Sequence, residues 1–291
     1  MTYDPRDHVI VSLTGETLEK VKEEIDESID LGARCVELKG DRIKEFRQSV
    51  FDSSSLRNIL LYRFDELPRR FISFRKSDTK NGVNGYGIEG FALTEPKVEN
   101  QRMEYIHHAM TLARGREKDF VFDVEVESLN ALKEKGIPNG VKVMGSEHNY
   151  VETPGFSYLV EIHGRMTTFK GLWGIKYVPT AHWADDLVNL FVFNAFHRGS
   201  DKRDLRLIGH ARGEIGKMSR ILSLSYGSDY TYAGLDNKRI SDEGQMSFEE
   251  TLNQLRFVKD WPLKRAGTLH ELDVVKSAQR MGMSVPMPEE E

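Results

Sequence analysis

A single cysteine, Cys35, stands among the 291 residues of this chain, so no internal disulfide can form and nothing in its composition asks for an oxidising compartment. Long hydrophobic runs are also missing. No uncharged apolar stretch approaches the roughly 20 residues that a membrane-spanning helix needs, which sets a membrane partner aside. The opening Met1-Thr2-Tyr3-Asp4-Pro5-Arg6-Asp7 lacks the apolar core of a secretory leader, and a cytoplasmic location is the expectation. There is no basic excess: 41 Lys and Arg stand against 46 Asp and Glu, a formal net charge of −5. Phosphate binding calls for clustered cations, so nucleic acid is excluded as a partner.

With 39% hydrophobic and 30% charged residues, the chain can bury a sizeable core and is not compositionally disordered. Strand-like and helix-like segments alternate along it, as expected of βα units around a parallel sheet. Eight strands are expected: His8 to Leu13, Arg34 to Lys39, Arg70 to Arg75, Asp119 to Glu125, Val141 to Glu147, Gly171 to Tyr177, Leu205 to His210 and a weaker one at Asp229 to Ala233. Val9-Ile10-Val11 and Val141 to Met144 are apolar at successive positions rather than alternate ones, which suits strands covered on both faces. Between them, Leu18, Val21, Ile25 and Ile29 fall at three- and four-residue steps and form one buried stripe that Gly32 terminates. Asp185 to Phe196 and Ser247 to Leu255 read as further amphipathic helices, and Pro154 sits near the start of another. Eight units in this length match an α/β fold, a (β/α)8 TIM barrel over residues 1–257. Residues 258–291 form a C-terminal extension: Trp261-Pro262 breaks the last helix, Leu269 to Met281 reads as one more short helix, and Pro286 to Glu291 is an acidic tail.

Barrel enzymes work at the C-terminal ends of their strands. Lys176 closes the apolar run Gly171-Leu172-Trp173-Gly174-Ile175, and His148 closes the run before it. A lysine in an apolar neighbourhood has its charged form disfavoured, which frees the amine to attack a carbonyl. A neighbouring imidazole supplies a base for a carbon acid next to an iminium. On position alone Lys176 could equally cap a strand and reach solvent, and His148 could be a structural hydrogen-bonder. Together they point to covalent carbonyl chemistry.

Several other residues converge on the same rim. Glu37 and Lys39 share one face of the second strand, Asp123 and Glu125 share one face of the fourth, and Arg75 ends the third. The run Gly213-Glu214-Ile215-Gly216-Lys217-Met218-Ser219-Arg220 leads from the seventh strand into a helix, whose N-terminus and Arg220 would hold a carboxylate. That run is neither a Walker loop nor a dinucleotide fingerprint. Ser241 and Gln245 lie in a glycine-containing loop after the eighth strand and can donate to substrate hydroxyls. The nine histidines are scattered, His107 and His108 face different ways on a helix, and no His-Glu-x-x-His occurs, so no metal is expected.

Taken in order, these residues resemble the type I 3-dehydroquinate dehydratase family from Val9 to about Leu255. The resemblance runs through Val11 to Thr17, Val36-Glu37-Leu38-Lys39-Gly40-Asp41, Phe74-Arg75, Asp123-Val124-Glu125, Ser146-Glu147-His148-Asn149-Tyr150 with Thr153-Pro154, Ile175-Lys176, Gly213 to Arg220, Gly227-Ser228 and Gly244-Gln245. It implies a Schiff-base lysine at Lys176 and a general acid/base histidine at His148. It also implies substrate contacts at Glu37, Lys39, Arg75, Arg220, Ser241 and Gln245. The implied reaction is syn loss of water from 3-dehydroquinate to give 3-dehydroshikimate, in the shikimate pathway of aromatic amino acid biosynthesis. The iminium serves as electron sink, so no cofactor is implied.

Three positions depart from that pattern. Lys39 replaces a second strand-two arginine and cannot make a bidentate contact. Asp78-Thr79 stand where a glutamate commonly follows the third strand, and Asp242-Glu243 replace the usual Ala-Pro before Gly244-Gln245. Two other readings therefore stay open: a related Schiff-base lyase or aldolase acting on another keto acid, and a non-catalytic 3-dehydroquinate-binding or regulatory homologue. The extension must bury its apolar stripe somewhere, and a homodimer is expected. Light scattering should give the mass of two chains at working concentration; the mass of one would overturn this.

Overall fold

The computed structural model describes residues 4–47, 53–63, 65–67, 69–74, 96–113, 120–200, 202 and 204–258. Arg75, Asp78-Thr79, the glycines at 82, 85, 87 and 90 and the extension beyond residue 258 lie outside them.

Eight strands run in sequence order: β1 Val9–Ser12, β2 Cys35–Lys39, β3 Arg69–Ser73, β4 Phe120–Glu125, β5 Lys142–His148, β6 Gly174–Val178, β7 Arg206–Gly209 and β8 Thr231–Gly234. The helices are α1 Leu18–Asp30, α2 Lys44–Arg47, α3 Ser53–Leu61, α4 Pro96–Leu112, α5 Leu129–Lys135, α6 Phe156–Thr167, α7 Ala184–Gly199, α8 Gly213–Gly216, α9 Ser219–Leu222 and α10 Phe248–Val258. All the ladders are parallel, in the order β7-β6-β5-β4-β3-β2-β1-β8. The sheet curls into a (β/α)8 barrel with helices outside. Each expected strand is present, shifted by three residues or fewer at its ends, and α1 carries the expected stripe with Thr17 accepting from the Lys20 N–H as its cap. No helix among the described residues is long and apolar enough to cross a membrane.

The outward faces of the strands and the helices share one large apolar core, to which Val11, Val36, Ile72, Phe122, Val143, Ile175 and Leu207 contribute. The interior follows from the two-residue alternation of strand side chains. At the N-terminal end it holds Ile10, Cys35, Phe71, Val121, Met144, Ile208 and Tyr230, closed below by Trp173 against the rings of Phe71 and Tyr230. Burial there pushes the Cys35 thiol up to about 11. Two residues further along each strand the same inward face becomes polar: Ser12, Glu37, Ser73, Asp123, Ser146, Lys176, His210 and Tyr232. An apolar plug thus supports a polar floor.

One seam of the barrel is not closed by a regular ladder. Between β7 and β8, the Asp229 N–H donates to the Leu207 carbonyl at 2.7 Å while Asp229 Oδ2 accepts from the Leu207 N–H at 2.7 Å. Ser228 Oγ accepts from the Gly209 N–H at 3.1 Å. Asp229 Oδ1 also receives Arg206 at 2.8 Å and Arg198 at 2.7 Å. Side chains here do what strand backbone does elsewhere. Asp229→Ala would leave a buried N–H and two guanidinium groups without their acceptor, and we expect a loss of about 3 kcal/mol in urea unfolding. An unchanged midpoint would show that the seam does not depend on this carboxylate.

Candidate active site

Lys176 sits on β6 with its side chain inside the barrel and almost fully buried. Its Nζ donates to Asp123 Oδ2 at 2.7 Å and to the Tyr232 hydroxyl at 3.1 Å, lies 3.6 Å from Glu37 Oε1, and stands 4.4 Å from the centre of the Tyr232 ring. The apolar neighbourhood expected from its sequence neighbours is therefore corrected. Ile175 and Tyr177 face outward into the helical layer, as alternation requires, and the amine itself meets two carboxylates and a phenol. An ammonium taken out of water needs such partners, since the desolvation of a lone charge is several kcal/mol.

His148 is the last residue of β5. The register pairs Ser146 with Lys176 and His148 with Val178, so His148 lies on the same inward face one pleat nearer the rim. A two-residue step on a strand is about 7 Å. The His148 ring stacks on Tyr150 at 6.0 Å between centroids, and the Arg212 guanidinium caps the Tyr150 ring at 4.5 Å. The imidazole and the amine thus come from neighbouring strands at the C-terminal mouth.

Around the amine runs a polar relay. Glu37 Oε2 takes the Ser12 hydroxyl at 3.4 Å and stands 3.5 Å from Lys39 Nζ. Ser12 Oγ accepts from Gln245 Nε2 at 3.3 Å, and Gln245 Oε1 accepts from the Ser241 N–H and hydroxyl at 2.8 and 3.0 Å. Glu37, Lys39, Ser241 and Gln245 are thereby brought to one side of Lys176. Glu125 goes elsewhere: it pairs at 2.7 Å with Arg102 of α4, which also donates to the Phe74 carbonyl and Ser128. The Ser73 and Ser146 hydroxyls, on the inward face beside Asp123 and Lys176, are buried without a hydrogen-bond partner among the described residues. They are spare polar groups at the floor of the mouth.

The loops after β7 and β8 complete the rim. Where the run from Gly213 was expected to lead into a helix, the chain makes two one-turn helices, α8 and α9, the first of which opens at Gly213 with φ +85°. No helix of more than four residues begins between Gly213 and Leu222, so the long helix N-terminus expected to hold a carboxylate is not formed there. Arg220, in α9, donates through Nη2 to Asp242 Oδ2 at 3.0 Å, while Asp242 Oδ1 accepts from Arg212 Nε at 2.6 Å. Burial pulls the Arg220 guanidinium down, and Asp242 offsets part of that. Burial pushes the Asp242 carboxyl up, but Arg220, Arg212 and Lys39 together outweigh it and hold it below the usual carboxylate range. Arg75 lies outside the described residues.

Tyr232, His210 and Arg212 escaped the reading of the sequence. Tyr232 follows Tyr230 by the two-residue step that marks one strand face, and His210 follows Ile208 in the same way, so periodicity could have placed both inside. Their rings lie 5.6 Å apart.

A model of the type I 3-dehydroquinase family matches residues 9–261. The chain belongs to the type I 3-dehydroquinase family. It is 27% identical over 259 residues to the bifunctional 3-dehydroquinate dehydratase/shikimate dehydrogenase, chloroplastic, of Arabidopsis thaliana, an alignment covering 87% of this chain and 38% of the plant protein. With the 3-dehydroquinate dehydratase of Alkaliphilus oremlandii it shares 26% identity over 254 residues, covering 86% of this chain and 91% of that protein. The crystal structure of a type I 3-dehydroquinate dehydratase from Clostridium difficile superposes with a TM-score of 0.68 at 18% identity, over 89% of this chain and 94% of that one. A 3-dehydroquinate dehydratase from Geobacillus kaustophilus gives the same score and identity over 88% and 92%. At these identities the superpositions establish the type I 3-dehydroquinase fold for this chain.

The geometry ranks the partners of Lys176. Asp123→Ala strips a buried ammonium of its shortest contact and should lower stability by about 3–5 kcal/mol. Tyr232→Phe removes one hydroxyl and keeps the ring, and should lower it by about 1 kcal/mol. Equal losses in chemical denaturation would contradict this ranking.

Proposed function

We propose that the chain is a 3-dehydroquinate dehydratase that works through a Schiff base on Lys176. The observation that carries this is the Lys176 amine, buried at the barrel mouth in hydrogen-bond contact with Asp123, with His148 one pleat above on the neighbouring strand. Membership of the type I 3-dehydroquinase family supplies the substrate.

The steps follow from the groups present. Lys176 Nζ passes a proton to Asp123 and adds to the C3 ketone carbon of 3-dehydroquinate, and the carbinolamine loses water to give an iminium. That iminium draws electrons from the neighbouring C2–H bond, and His148 removes the C2 proton to leave an enamine. The enamine pushes out the C1 hydroxyl, which takes the proton from His148 and leaves as water. Because one base serves both the proton and the hydroxyl, the loss is syn. Hydrolysis of the conjugated iminium then releases 3-dehydroshikimate and restores the amine. The ring hydroxyls fall to the Glu37, Lys39, Ser241 and Gln245 relay, and the carboxylate to Arg220. Arg75 is assigned to the substrate by resemblance alone. The iminium is the electron sink, so the reading requires no cofactor, and it assigns the protein to the shikimate pathway; a cytoplasmic location and a homodimer are proposed beside it, on the single cysteine and on the apolar stripe of the C-terminal extension.

The chain should convert 3-dehydroquinate to a product with the ultraviolet absorbance of a conjugated enone. Borohydride added during turnover should fix a covalent adduct on Lys176, and Lys176→Ala should lower kcat by at least about 10³-fold, the order of loss seen when a covalent nucleophile is removed. A Lys176→Ala protein that dehydrates 3-dehydroquinate at the wild-type rate would sink the mechanism. Tight binding of 3-dehydroquinate without any enone would favour a binding homologue instead.

A further inference from the structure

Arg220 is 1% exposed, yet its contacts are few. Among the described residues Nη2 donates to Asp242 Oδ2 at 3.0 Å and to the Glu243 carbonyl at 3.3 Å, and the buried Nε–H has no partner. A guanidinium offers a planar fork of donors that suits a carboxylate engaged through two parallel bonds. Here the fork is met through one nitrogen, and a buried donor is left over, which is the mark of a group awaiting a better-seated acceptor.

The partner that now holds it is unlike a fixed structural counter-ion. Asp242 lies in the loop 241–245, where Gly244 takes φ +75°, and its side chain keeps 23% of its exposure. Its other oxygen is already gripped by Arg212 Nε at 2.6 Å, so the carboxylate can leave Arg220 without losing a cation. Lys39 adds its charge from β2.

We propose that Asp242 is a specificity-determining residue, an internal carboxylate that occupies the substrate-carboxylate place on Arg220 and must be displaced before a ring carboxylate can bind. The inference rests on the dehydratase reading for the identity of that carboxylate. Anionic ligands bind more weakly to this chain than the bare pocket would allow, by the factor that moving Asp242 onto Arg212 alone requires. Selection follows: a ligand must reach Arg220 through both arms of the fork to win over an acceptor that uses one.

The test is calorimetric titration of the full chain with quinate, which keeps the ring and carboxylate of 3-dehydroquinate but has a hydroxyl in place of the ketone and so forms no Schiff base. Asp242→Ala should bind quinate about tenfold more tightly than wild type, about 1.4 kcal/mol. Asp242→Asn, which keeps the side-chain shape if the alanine variant fails to fold, should shift it in the same direction. Adding Arg220→Met to either variant should abolish the gain, and KM for 3-dehydroquinate should fall in step with the quinate Kd. Equal or weaker quinate binding in both Asp242 variants, or no quinate binding by any of the three proteins, overturns the proposal. If wild type makes no enone while Asp242→Asn still tightens quinate binding, the dehydratase reading fails and this one stands. If wild type makes enone and neither variant tightens binding, the reverse holds.

Discussion

One buried positive charge organises the centre of this barrel. Lys176 is carried by β6 into an interior from which water is excluded, and a lone ammonium there would unfold the site before it could serve it. Asp123 and Glu37 meet that requirement from β4 and β2, and the second oxygen of Glu37 and its neighbours extend it. Glu37 reaches Ser12 and Lys39, Ser12 reaches Gln245, and Gln245 fixes Ser241. The polar composition of the strand ends is thus a consequence of placing one amine inside, and the apolar plug of Phe71, Tyr230 and Trp173 is what keeps it dry from below.

Much of this could be read from residue order. Parallel strands covered on both faces leave consecutive apolar residues, and Val9-Ile10-Val11 and Val141 to Met144 reported themselves in that way. The two-residue step put Glu37 with Lys39 and Asp123 with Glu125, and both pairs do share a face. Periodicity does not say which neighbour wins, however. Asp123 turned to the amine, whereas Glu125 went to Arg102 on α4, a contact across 23 positions of chain. The same blindness made Lys176 look as if it sat among apolar groups, when Ile175 and Tyr177 face away from it. Arg220 and Asp242 are 22 positions apart, Arg212 and Asp242 are 30 apart, and only the closed barrel brings them together.

The fourth strand shows how the fold divides labour between two like residues. Asp123, deeper, holds the amine. Glu125, one pleat nearer the rim, anchors Arg102, whose guanidinium also takes the Phe74 carbonyl at the end of β3 and the Ser128 hydroxyl at the start of α5. A single arginine therefore fixes where two strands end and one helix begins.

The side-chain closure between β7 and β8 has a consequence for how the mouth responds to change. Backbone ladders tolerate most substitutions, because every residue brings the same amide. A joint made by Ser228 and Asp229 depends on two particular residues, and the staves on either side of it lead to Arg212 and Arg220 on the one hand and to Tyr232 and the Asp242 loop on the other. Mutational drift at this joint would alter the spacing of ligand-facing groups while leaving the other seven joins intact. The cylinder has one adjustable hoop, and it lies beside the loop that carries Asp242.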